Sequence, residues 1–446
     1  MHEHHRYNGT DVLATRQVLD TLLPIAARRG VLELAKAELV MEAPLLAIAM
    51  RGVRVDEARA AAMKRELGEM VRERIAQAEA IAGCKLSGPK AFSTQKLTKF
   101  FFEELKLNGK RSTDETALGQ IKGERRTTKL ERGKAGAAKR QAAAVAAHVL
   151  EARGAGKLLG VIQARRHHGR LRGSFNIGAT ETHRLSSSST PRGDGTNLQN
   201  IAGSIRSLFV PSGPEWMFVG LDQERAESRC VAWLSGDAAY MRAHEEGDTH
   251  CNVARLLWGL GPEVSDAELK ENGLRQRAKA IQHAMNYLEP DCSPITVARM
   301  AGMSTARAQE MMDLYYEAFP GITDDKHRVA QEIAATGFVE VGDIRRHLHG
   351  RLGDSKTLRE ALSHRAQLLS TWTTNVLLAR LWLELDGPDL RLLVHEHDGI
   401  LMEVQRSTWP ELRPQIEART HIEWDLGERK LVLPWEIKTG ESWAEV

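Results

Sequence analysis

The sequence predicts an α+β protein in which a sheet is interrupted by a helical insertion and preceded by a basic helical arm. Helical periodicity, with charges opposite an apolar stripe, runs over residues 45–82 and returns over residues 237–321. Almost continuously apolar runs, typical of buried strands, occur at residues 216–221 (WMFVGL) and on both sides of His397-Asp398-Gly399 in LLVHEHDGILMEV. Strands separated in this way by helices favour an α+β fold.

The other elements follow in chain order. A short loop after residue 83 leads into a helix capped near Ser93 or Thr94, and GKAGAAKRQAAAVAAHVLEARG predicts an ordered alanine-rich helix. From about residue 173 the pattern changes to short strand-like pieces with Ser-rich connections. A strand pair near residues 337–350 and a long helix over about residues 358–385 precede the second apolar hairpin.

Length and composition bound the class of protein. A chain of 446 residues is long enough for two or more domains, and its 42% apolar and 27% charged residues are typical of a soluble globular protein. The sequence shows neither an apolar run of membrane-spanning length nor a signal-peptide pattern. Cys84, Cys230, Cys251 and Cys292 lack CxxC spacing, which indicates a reducing compartment and predicts a cytoplasmic location.

The net charge of +3 is unevenly distributed. Residues 110–172 contain sixteen Lys and Arg against five Asp and Glu, an excess of +11 that leaves the rest of the chain at −8. This asymmetry favours a groove for a polyanion, for which Lys122, Arg125, Arg126 and Lys129 are candidate contacts. The alternatives are a solvated helical face and a disordered basic tract. The alanine-rich helix favours the groove over the disordered tract, and the charge count leaves the solvated face open.

Two acids lie at the ends of the predicted buried strands. Asp222 follows the strand at residues 216–221, and Asp398 lies in the hairpin turn, where we expect Gly399 to supply the positive φ of an Asp-Gly turn. Two acids brought together repel unless cations lie between them, and a pair of divalent ions supports in-line phosphoryl transfer. Oxygen ligands favour Mg²⁺. An acid chosen for turn geometry, or two unrelated acids at strand ends, are the alternatives.

A basic helix supplies a third element. In RQRAKAIQHAMNYLEP, Arg275, Lys279, His283 and Tyr287 recur every four residues before Pro290 ends the helix. Arg275 can bind phosphate oxygens bidentately and Lys279 can act as a point charge, which suits a polyphosphate. The ring of Tyr287 can stack on a base. A solvated basic stripe is the alternative.

These pieces, in this order, resemble the polymerase module of the family A DNA polymerases. LDQERAESRCVAWLSGD resembles the first catalytic motif of the family, RQRAKAIQHAMNY its nucleotide-binding helix and VHEHDGILMEV its third motif. Further similar stretches are HRLSSSSTPRGDGTNLQNI, IRSLF, EGDTHCNVA, LAIAMRGVRVDE, LSGPKAFSTQKL and KRSTDETAL. The resemblance spans nearly the whole chain, and the joint order of the motifs is specific.

The resemblance implies a right-hand polymerase fold with an antiparallel palm sheet. The implied divisions are a thumb (45–160), a palm in two parts (161–236 and 331–446) and fingers (237–330). Residues 1–44 would be a remnant of the helix that ends a proofreading exonuclease domain, because YNGTD at residues 7–11 resembles the last motif of that domain. No acids of earlier exonuclease motifs precede it, so intrinsic proofreading is not expected.

The resemblance also implies roles for individual residues. Asp222 and Asp398, with the backbone carbonyl of Gln223, would hold two Mg²⁺ ions, for which Mn²⁺ could substitute. The incoming nucleotide would be contacted at its triphosphate by Arg275, Lys279 and His250, and at its sugar or base by Glu227, His283 and Tyr287. Primer-template contacts would come from Arg184, Asn197, Gln199, Asn200 and His397.

Four positions depart from the family pattern. Gly399 stands where the family usually has a second acid, and His283 where it has an aromatic ring. Leu288 follows the tyrosine in place of glycine, and Ala202 follows NLQNI in place of proline. A phage or prophage lineage would fit such departures.

The function implied is template-directed addition of deoxynucleotides to a primer 3′-hydroxyl, without intrinsic proofreading. The implied partners are primer-template DNA and deoxynucleoside triphosphates, with a separate exonuclease or processivity factor as a further candidate and no membrane. The location expected is the cytoplasm of a bacterium or a phage-infected cell. The alternative is a catalytically degenerate polymerase that only binds DNA or a replication partner. The joint presence of Asp222, Asp398, Arg275 and Lys279 favours the enzyme.

Overall fold

The computed structural model of the chain describes residues 2–89, 91–109, 111–123, 134–289, 293–342 and 344–446. Several residues used in the sequence predictions lie outside these ranges: Lys110, Arg125, Arg126, Lys129, Pro290 and Cys292. Helices predominate, and one four-stranded antiparallel sheet carries the centre of the fold. The predicted α+β class is therefore confirmed.

The helices of the described residues include long ones at both ends of the chain and a run of shorter ones between. In chain order they are α1 (His2–Arg28), α2 (Leu32–Leu39), α3 (Glu42–Arg51), α4 (Glu57–Ala82), α5 (Thr94–Thr98), α6 (Glu115–Gly123), α7 (Lys134–Ile162), α8 (Ala226–Ser235), α9 (Ala238–Glu245), α10 (Thr249–Trp258), α11 (Asp266–Glu271), α12 (Leu274–Tyr287), α13 (Ile295–Ala301), α14 (Thr305–Ala318), α15 (Pro320–Thr336), α16 (Ser355–Glu384) and α17 (Trp409–Thr420). Where the chain is described, none of these helices is long and apolar enough to cross a membrane.

The strands are mostly short and pair antiparallel. They are β1 (Val53–Arg54), β2 (Ser87–Gly88), β3 (Ala91–Phe92), β4 (Arg170–Leu171), β5 (Ser174–Asn176), β6 (Ser186–Ser188), β7 (Trp216–Gln223), β8 (Phe338–Val341), β9 (Ile344–His347), β10 (Leu390–His395), β11 (Gly399–Gln405), β12 (Glu423–Asp425), β13 (Lys430–Val432) and β14 (Trp435–Gly440). The predicted strand pair near residues 337–350 is β8–β9, and the predicted long helix is α16.

The helical periodicity predicted over residues 45–82 is interrupted between α3 and α4. Gly52 adopts φ 62°, and a Cβ at this position would lie 2.5 Å from the carbonyl oxygen of Leu171, so the chain turns here into β1. Asp56 then begins α4, because its carboxylate accepts a 3.0 Å hydrogen bond from the amide of Arg59. The amphipathic pattern alone could not show this close approach of two backbone segments.

The basic arm is ordered where it is described. The helices α4 and α7 pack along each other, with α6 against α7, around a core that includes Phe100 and Phe101. The predicted cap of α5 is Ser93, whose hydroxyl accepts a 3.4 Å hydrogen bond from the amide of Lys96. The alanine-rich segment forms α7, and Ala142, Ala146 and Ala152 are buried in this core.

The central sheet has the strand order β10-β11-β7-β14. The strand β7 is buried along most of its length, as its apolar sequence predicts, and both of its neighbours pair with it antiparallel. The helix α16 packs against β10 and β11 and against α8. The helices α8 to α15 lie between β7 and β8 in the chain and share a second apolar core with the N-terminal part of α16. This arrangement leaves a cleft between the end of β7 and α12.

Candidate active site

The sheet brings the two predicted acids together. Gly399 at the start of β11 pairs with Asp222 near the end of β7, which places Asp398 beside that strand end. The amide of Gln223 donates a 2.9 Å hydrogen bond to the carbonyl oxygen of Asp398. Both acid side chains are exposed to the cleft, whereas the strand residues behind them are buried. The prediction that two buried strands deliver their acids to one place thus agrees with the geometry.

The turn at Asp398 is not built as the Asp-Gly signal predicts. Gly399 does not adopt a positive φ; it is the first residue of β11 and is buried. A Cβ at Gly399 would lie 2.8 Å from the carbonyl oxygen of Leu221 and 3.5 Å from Oδ1 of Asp222. Glycine is therefore required here by the close approach of β11 to β7, and not by the backbone conformation of a type I′ turn.

The acids of this region repel one another. The cleft walls remove part of the water around Asp222, and this desolvation is the largest cause that raises the pKa of its carboxyl to about 7. The negative charge of Asp398 is the next cause, followed by Glu396 and Glu436, while Lys438 opposes them. The electrostatic environment of this carboxyl therefore favours the binding of a proton or another cation.

A second set of residues fixes the strand ends from behind. The buried amide of Gln223 donates to the carbonyl of Ser370 at 2.9 Å and to the hydroxyl of Thr374 at 2.8 Å, both on α16. The Ser370 hydroxyl donates back to Oε1 of Gln223 at 2.9 Å. Because the side chain of Gln223 is held in this way, its backbone beside Asp222 has little freedom.

The basic helix α12 forms the opposite wall of the cleft. The cleft encloses about 870 Å³, and its lining includes Asp222, Asp398 and Glu436 from the sheet, Glu227 from α8, and Arg275, Lys279 and His283 from α12. Arg275 is partly held, because its Nε donates to Asp248 at 2.8 Å. Lys279 is exposed and makes no hydrogen bond or ion pair with any described residue. The cleft thus places free positive charge opposite the acids.

Glu227 lies at the first turn of α8 and is held by three side chains. Arg184 forms an ion pair with one of its carboxylate oxygens, and the hydroxyl of Tyr287 donates to the other at 3.2 Å. Nδ1 of His283 lies 3.6 Å from the same oxygen, and the His283 ring contacts the ring of Tyr287 edge-on. Four residues that the resemblance assigns separately to nucleotide and DNA are therefore one cluster.

His250 lies deeper in the cleft wall. Its Nδ1 donates to Oε1 of Gln282 at 2.5 Å, and Nε2 of Gln282 donates to the hydroxyl of Tyr240 at 2.6 Å. Burial is the largest cause that lowers the pKa of His250 to about 4, and the positive charge of Arg275 acts in the same direction. The imidazole is therefore uncharged at neutral pH.

The candidate DNA contacts occupy different environments. Asn197 caps a short 3₁₀ turn by accepting a 2.9 Å hydrogen bond from the amide of Gln199, and Asn200 is exposed. Nε2 of Gln199 and Nδ1 of His397 are buried and find no partner in the described structure. Burial, followed by the charge of Arg184, lowers the pKa of His397.

The sequence predictions did not identify three contributors to this site. Asp248 caps α10 and orients Arg275, a role that the Asp-Thr start of a helix could have suggested. Gln282 carries no signal beyond its place on α12. Glu436 stands opposite Asp222 on β14, and strand register of this kind is not readable from a single sequence.

The comparisons with known proteins agree with this architecture. The POL domain of Pol1 from M. smegmatis, solved as a complex with DNA primer-template and dNTP, superimposes with a TM-score of 0.79 at 24% identity, over 97% of this chain and 75% of that one. The right-hand polymerase fold predicted from the motifs is therefore confirmed. The model of DNA polymerase family A matches residues 57–445, and the chain belongs to this family.

Proteins with similar sequences include DNA polymerase I enzymes from several bacteria. The thermostable enzyme of Thermus aquaticus is 27% identical over 438 residues, which are 90% of this chain and 48% of the relative. DNA polymerase I of Mycobacterium tuberculosis is 29% identical over 301 residues, 64% of this chain and 31% of the relative. The chain thus spans about half the length of the Thermus relative.

Proposed function

We propose that this chain is a DNA-directed DNA polymerase that adds deoxynucleotides to a primer 3′-hydroxyl by two-metal phosphoryl transfer. The observation that carries the proposal is the joining of Asp222 and Asp398 on adjacent strands, opposite Arg275 and Lys279 in one cleft. Acids at one wall and cations at the other suit a reaction in which a polyphosphate loses its pyrophosphate group.

The division of the chain into functional parts belongs to the same proposal. We assign a thumb to residues 45–160, a palm to residues 161–236 and 331–446, and fingers to residues 237–330. The packing of α4 on α7, the central sheet and the run α8 to α15 support these limits. The interpretation of residues 1–44 as the remnant of an exonuclease helix stays a prediction.

The donor set at the strand ends fits divalent ions. Members of this family use divalent metal ions, and the oxygens of Asp222, Asp398 and the Gln223 carbonyl are the ligand type that Mg²⁺ prefers. We propose two Mg²⁺ ions there, with Mn²⁺ as a substitute. When bound, they would activate the primer hydroxyl and neutralise charge on the leaving pyrophosphate. The pKa of about 7 at Asp222 supports the site, since the acids without a cation repel.

The triphosphate would lie along α12. Lys279, free of protein partners in the described structure, would supply a point charge to the phosphate oxygens. Arg275 would divide its donors between Asp248, which orients it, and the phosphates. His250 lies on the same wall of the cleft, and the negative charge of a bound triphosphate would favour its protonated form.

The sugar and base would meet the Glu227 cluster. Because Arg184 and Tyr287 hold both carboxylate oxygens of Glu227, the side chain is fixed in position. A ribose 2′-hydroxyl would clash with this fixed side chain and would therefore be excluded. His283 stands on the open side of this cluster, where it would contact the same sugar, and Tyr287 would support the base pair being formed.

The primer-template would cross the sheet side of the cleft. We assign contacts with its backbone and minor groove to Arg184, Asn197, Gln199, Asn200 and His397, and the main electrostatic attraction to the basic stretch at residues 110–172. Nε2 of Gln199 is buried and has no hydrogen-bond partner among the described residues, which supports a contact with the DNA. Lys122 is described on α6, whereas the other three candidate contacts, Arg125, Arg126 and Lys129, lie outside the described ranges.

Primer extension tests the proposal. A labelled primer annealed to a longer template, with deoxynucleoside triphosphates and Mg²⁺, should be extended by template-directed addition and should not be extended in EDTA. Binding of the duplex without extension in either Mg²⁺ or Mn²⁺ would instead identify a degenerate polymerase that only binds DNA.

A further inference from the structure

At its cleft end the sheet aligns three residues in one row. Gly399 on β11 and Glu436 on β14 both pair directly with Asp222 on β7. Directly paired residues of antiparallel strands project to the same face, with Cβ atoms about 4.5–5.5 Å apart. Asp222 therefore has a carboxylate neighbour on its β14 side and no side chain on its β11 side.

The β11 side has no room for another acid. A Cβ at position 399 would meet the backbone oxygen of Leu221 at 2.8 Å, a contact that a side chain cannot relieve by rotating. This is the position at which the sequence comparison with family motifs leads one to expect a second acid after Asp398. In this structure the close approach of β11 to β7 leaves no room for an acid at position 399, and the other acid in the row is Glu436 on β14.

Glu436 is placed to supply the second acid that position 399 cannot carry. Its side chain lines the same cleft as Asp222 and Asp398. Its ion-pair partner is Lys438, at 2.9 Å, and both side chains are about half exposed, at 48% and 51%. Ion pairs this open to solvent contribute little free energy, so the pair with Lys438 does not prevent Glu436 from turning to a cation in the cleft.

We propose that Glu436 is a third carboxylate of the divalent-metal site, acting from the β14 side of Asp222 where Gly399 cannot act from the β11 side. The inference rests on the proposed function and concerns the affinity of the site for its metal. An acid next to a metal ligand holds the metal or its bound water, and removal of such a partner weakens metal binding by about ten- to a hundredfold.

The test measures Mn²⁺ binding without turnover. The full chain is bound to a primer-template whose primer ends in a dideoxynucleotide, the matching deoxynucleoside triphosphate is added, and free Mn²⁺ is followed by its electron paramagnetic resonance signal. Glu436→Gln should bind Mn²⁺ about tenfold more weakly than the parent while the Kd for the primer-template stays unchanged.

Two controls isolate the acid. Glu423→Gln is matched, because Glu423 is also a strand residue, partly exposed at 42% and paired with a lysine, Lys430, at 2.7 Å; it should leave Mn²⁺ binding unchanged. Lys438→Gln removes a competing cation and should maintain or strengthen Mn²⁺ binding. Equal weakening in Lys438→Gln and Glu436→Gln would trace the effect to the ion pair and overturn the inference.

The outcome separates this inference from the proposed function. Unchanged Mn²⁺ affinity in Glu436→Gln, with strong loss in Asp222→Asn, overturns the role of Glu436 and leaves the two-acid site intact. Unchanged affinity in both variants contradicts the metal site itself.

Discussion

The amide of Gln223 and the carbonyl of Asp398 form a 2.9 Å hydrogen bond that closes the sheet at the strand ends where both acids emerge. Since Asp222 precedes Gln223 on β7, this bond fixes one acid-bearing strand end against the other. The side chain of Gln223 is itself held by Ser370 and Thr374 on α16. The spacing of the two acids is therefore a property of the sheet and its supporting helix rather than of a flexible loop.

Gly399→Ala tests this dependence on the sheet. The added Cβ would lie 2.8 Å from the carbonyl oxygen of Leu221, so β11 must move away from β7. We expect a loss of about 1–3 kcal/mol in unfolding free energy, as for other overpacked sites, together with a large loss of extension rate. Thermal melting and primer extension measure the two effects.

Gly387→Ala is the matched control for that variant, because the nearest atom to its Cβ would be the carbonyl oxygen of Leu385 at 4.0 Å. It should change neither the melting temperature nor the rate appreciably. Full activity in Gly399→Ala would show that the β7–β11 register does not position the acids.

Glu227→Ala should relax the choice of sugar. The variant removes the carboxylate that Arg184 and Tyr287 hold at the start of α8, and with it the proposed steric barrier to a 2′-hydroxyl. We expect incorporation of ribonucleotides relative to deoxynucleotides to rise at least tenfold, which is ~1.4 kcal/mol in relative transition-state binding. The ratio of the two kcat/KM values on one primer-template measures it.

An unchanged ratio in Glu227→Ala would place sugar selection elsewhere, with His283 as the next residue to substitute. Glu224→Ala provides a comparison, since Glu224 lines the same cleft but pairs with Arg225 instead of joining the Glu227 cluster.

Lys279→Ala should impair use of the triphosphate. Lys279 faces the cleft without a protein partner in the part of the chain that is described, so its charge is free for phosphate. We expect kcat/KM for the incoming nucleotide to fall at least tenfold, ~1.4 kcal/mol, with the Kd for primer-template unchanged. Arg277→Ala, an exposed cation on the same helix that does not line the cleft, should have little effect. An equal fall of kcat/KM in both variants would mean that the general positive charge of the helix, and not a specific contact of Lys279, attracts the triphosphate.

The raised pKa of Asp222 predicts a pH dependence of stability. In EDTA the folded chain keeps a proton on Asp222 up to about pH 7, whereas the unfolded chain releases it near pH 4. The folded state binds more protons between these values, so stability falls as the pH rises from about 4 to 7. Asp222→Asn carries no charge at either pH and so removes this loss of stability. The substitution should raise the melting temperature at pH 8 but hardly at pH 4.

Differential scanning calorimetry at both pH values, in EDTA, measures this effect. Asp324→Asn, at an exposed position on α15, should give no comparable gain at pH 8. A gain of equal size at pH 4 and pH 8 in Asp222→Asn would mean that charge repulsion is not its cause.

Elements with strong local signals were predictable from the sequence. The apolar runs of β7 and of the β10–β11 hairpin specify buried strands, and the acids at their ends could be expected to meet. The cap at Ser93 and the length of α16 likewise follow from residue type and periodicity. These features depend on neighbours within a few residues, which is the range that a sequence pattern reports.

Features that depend on register or on distant contacts were not predictable. The Asp-Gly pair suggested a positive φ, whereas the need for glycine at position 399 comes from the close backbone of Leu221 on another strand. Glu436 carries no signal in the sequence that distinguishes it from other acids, and only the pairing of β14 with β7 places it beside Asp222. The ion pair of Arg184 with Glu227 joins residues 43 positions apart. Such contacts are set by packing across the whole fold.

In the proposed function, Asp222 and Asp398 are the metal-binding pair of a polymerase. The measurement that tests it most directly is single-turnover nucleotide addition in Mg²⁺ by Asp222→Asn and Asp398→Asn, with duplex affinity determined on the same samples. Each variant should lose at least about a hundredfold in rate, ~2.7 kcal/mol, while binding primer-template as tightly as the parent. Addition by either variant at more than about a hundredth of the parent rate, with DNA binding intact, would contradict the assignment.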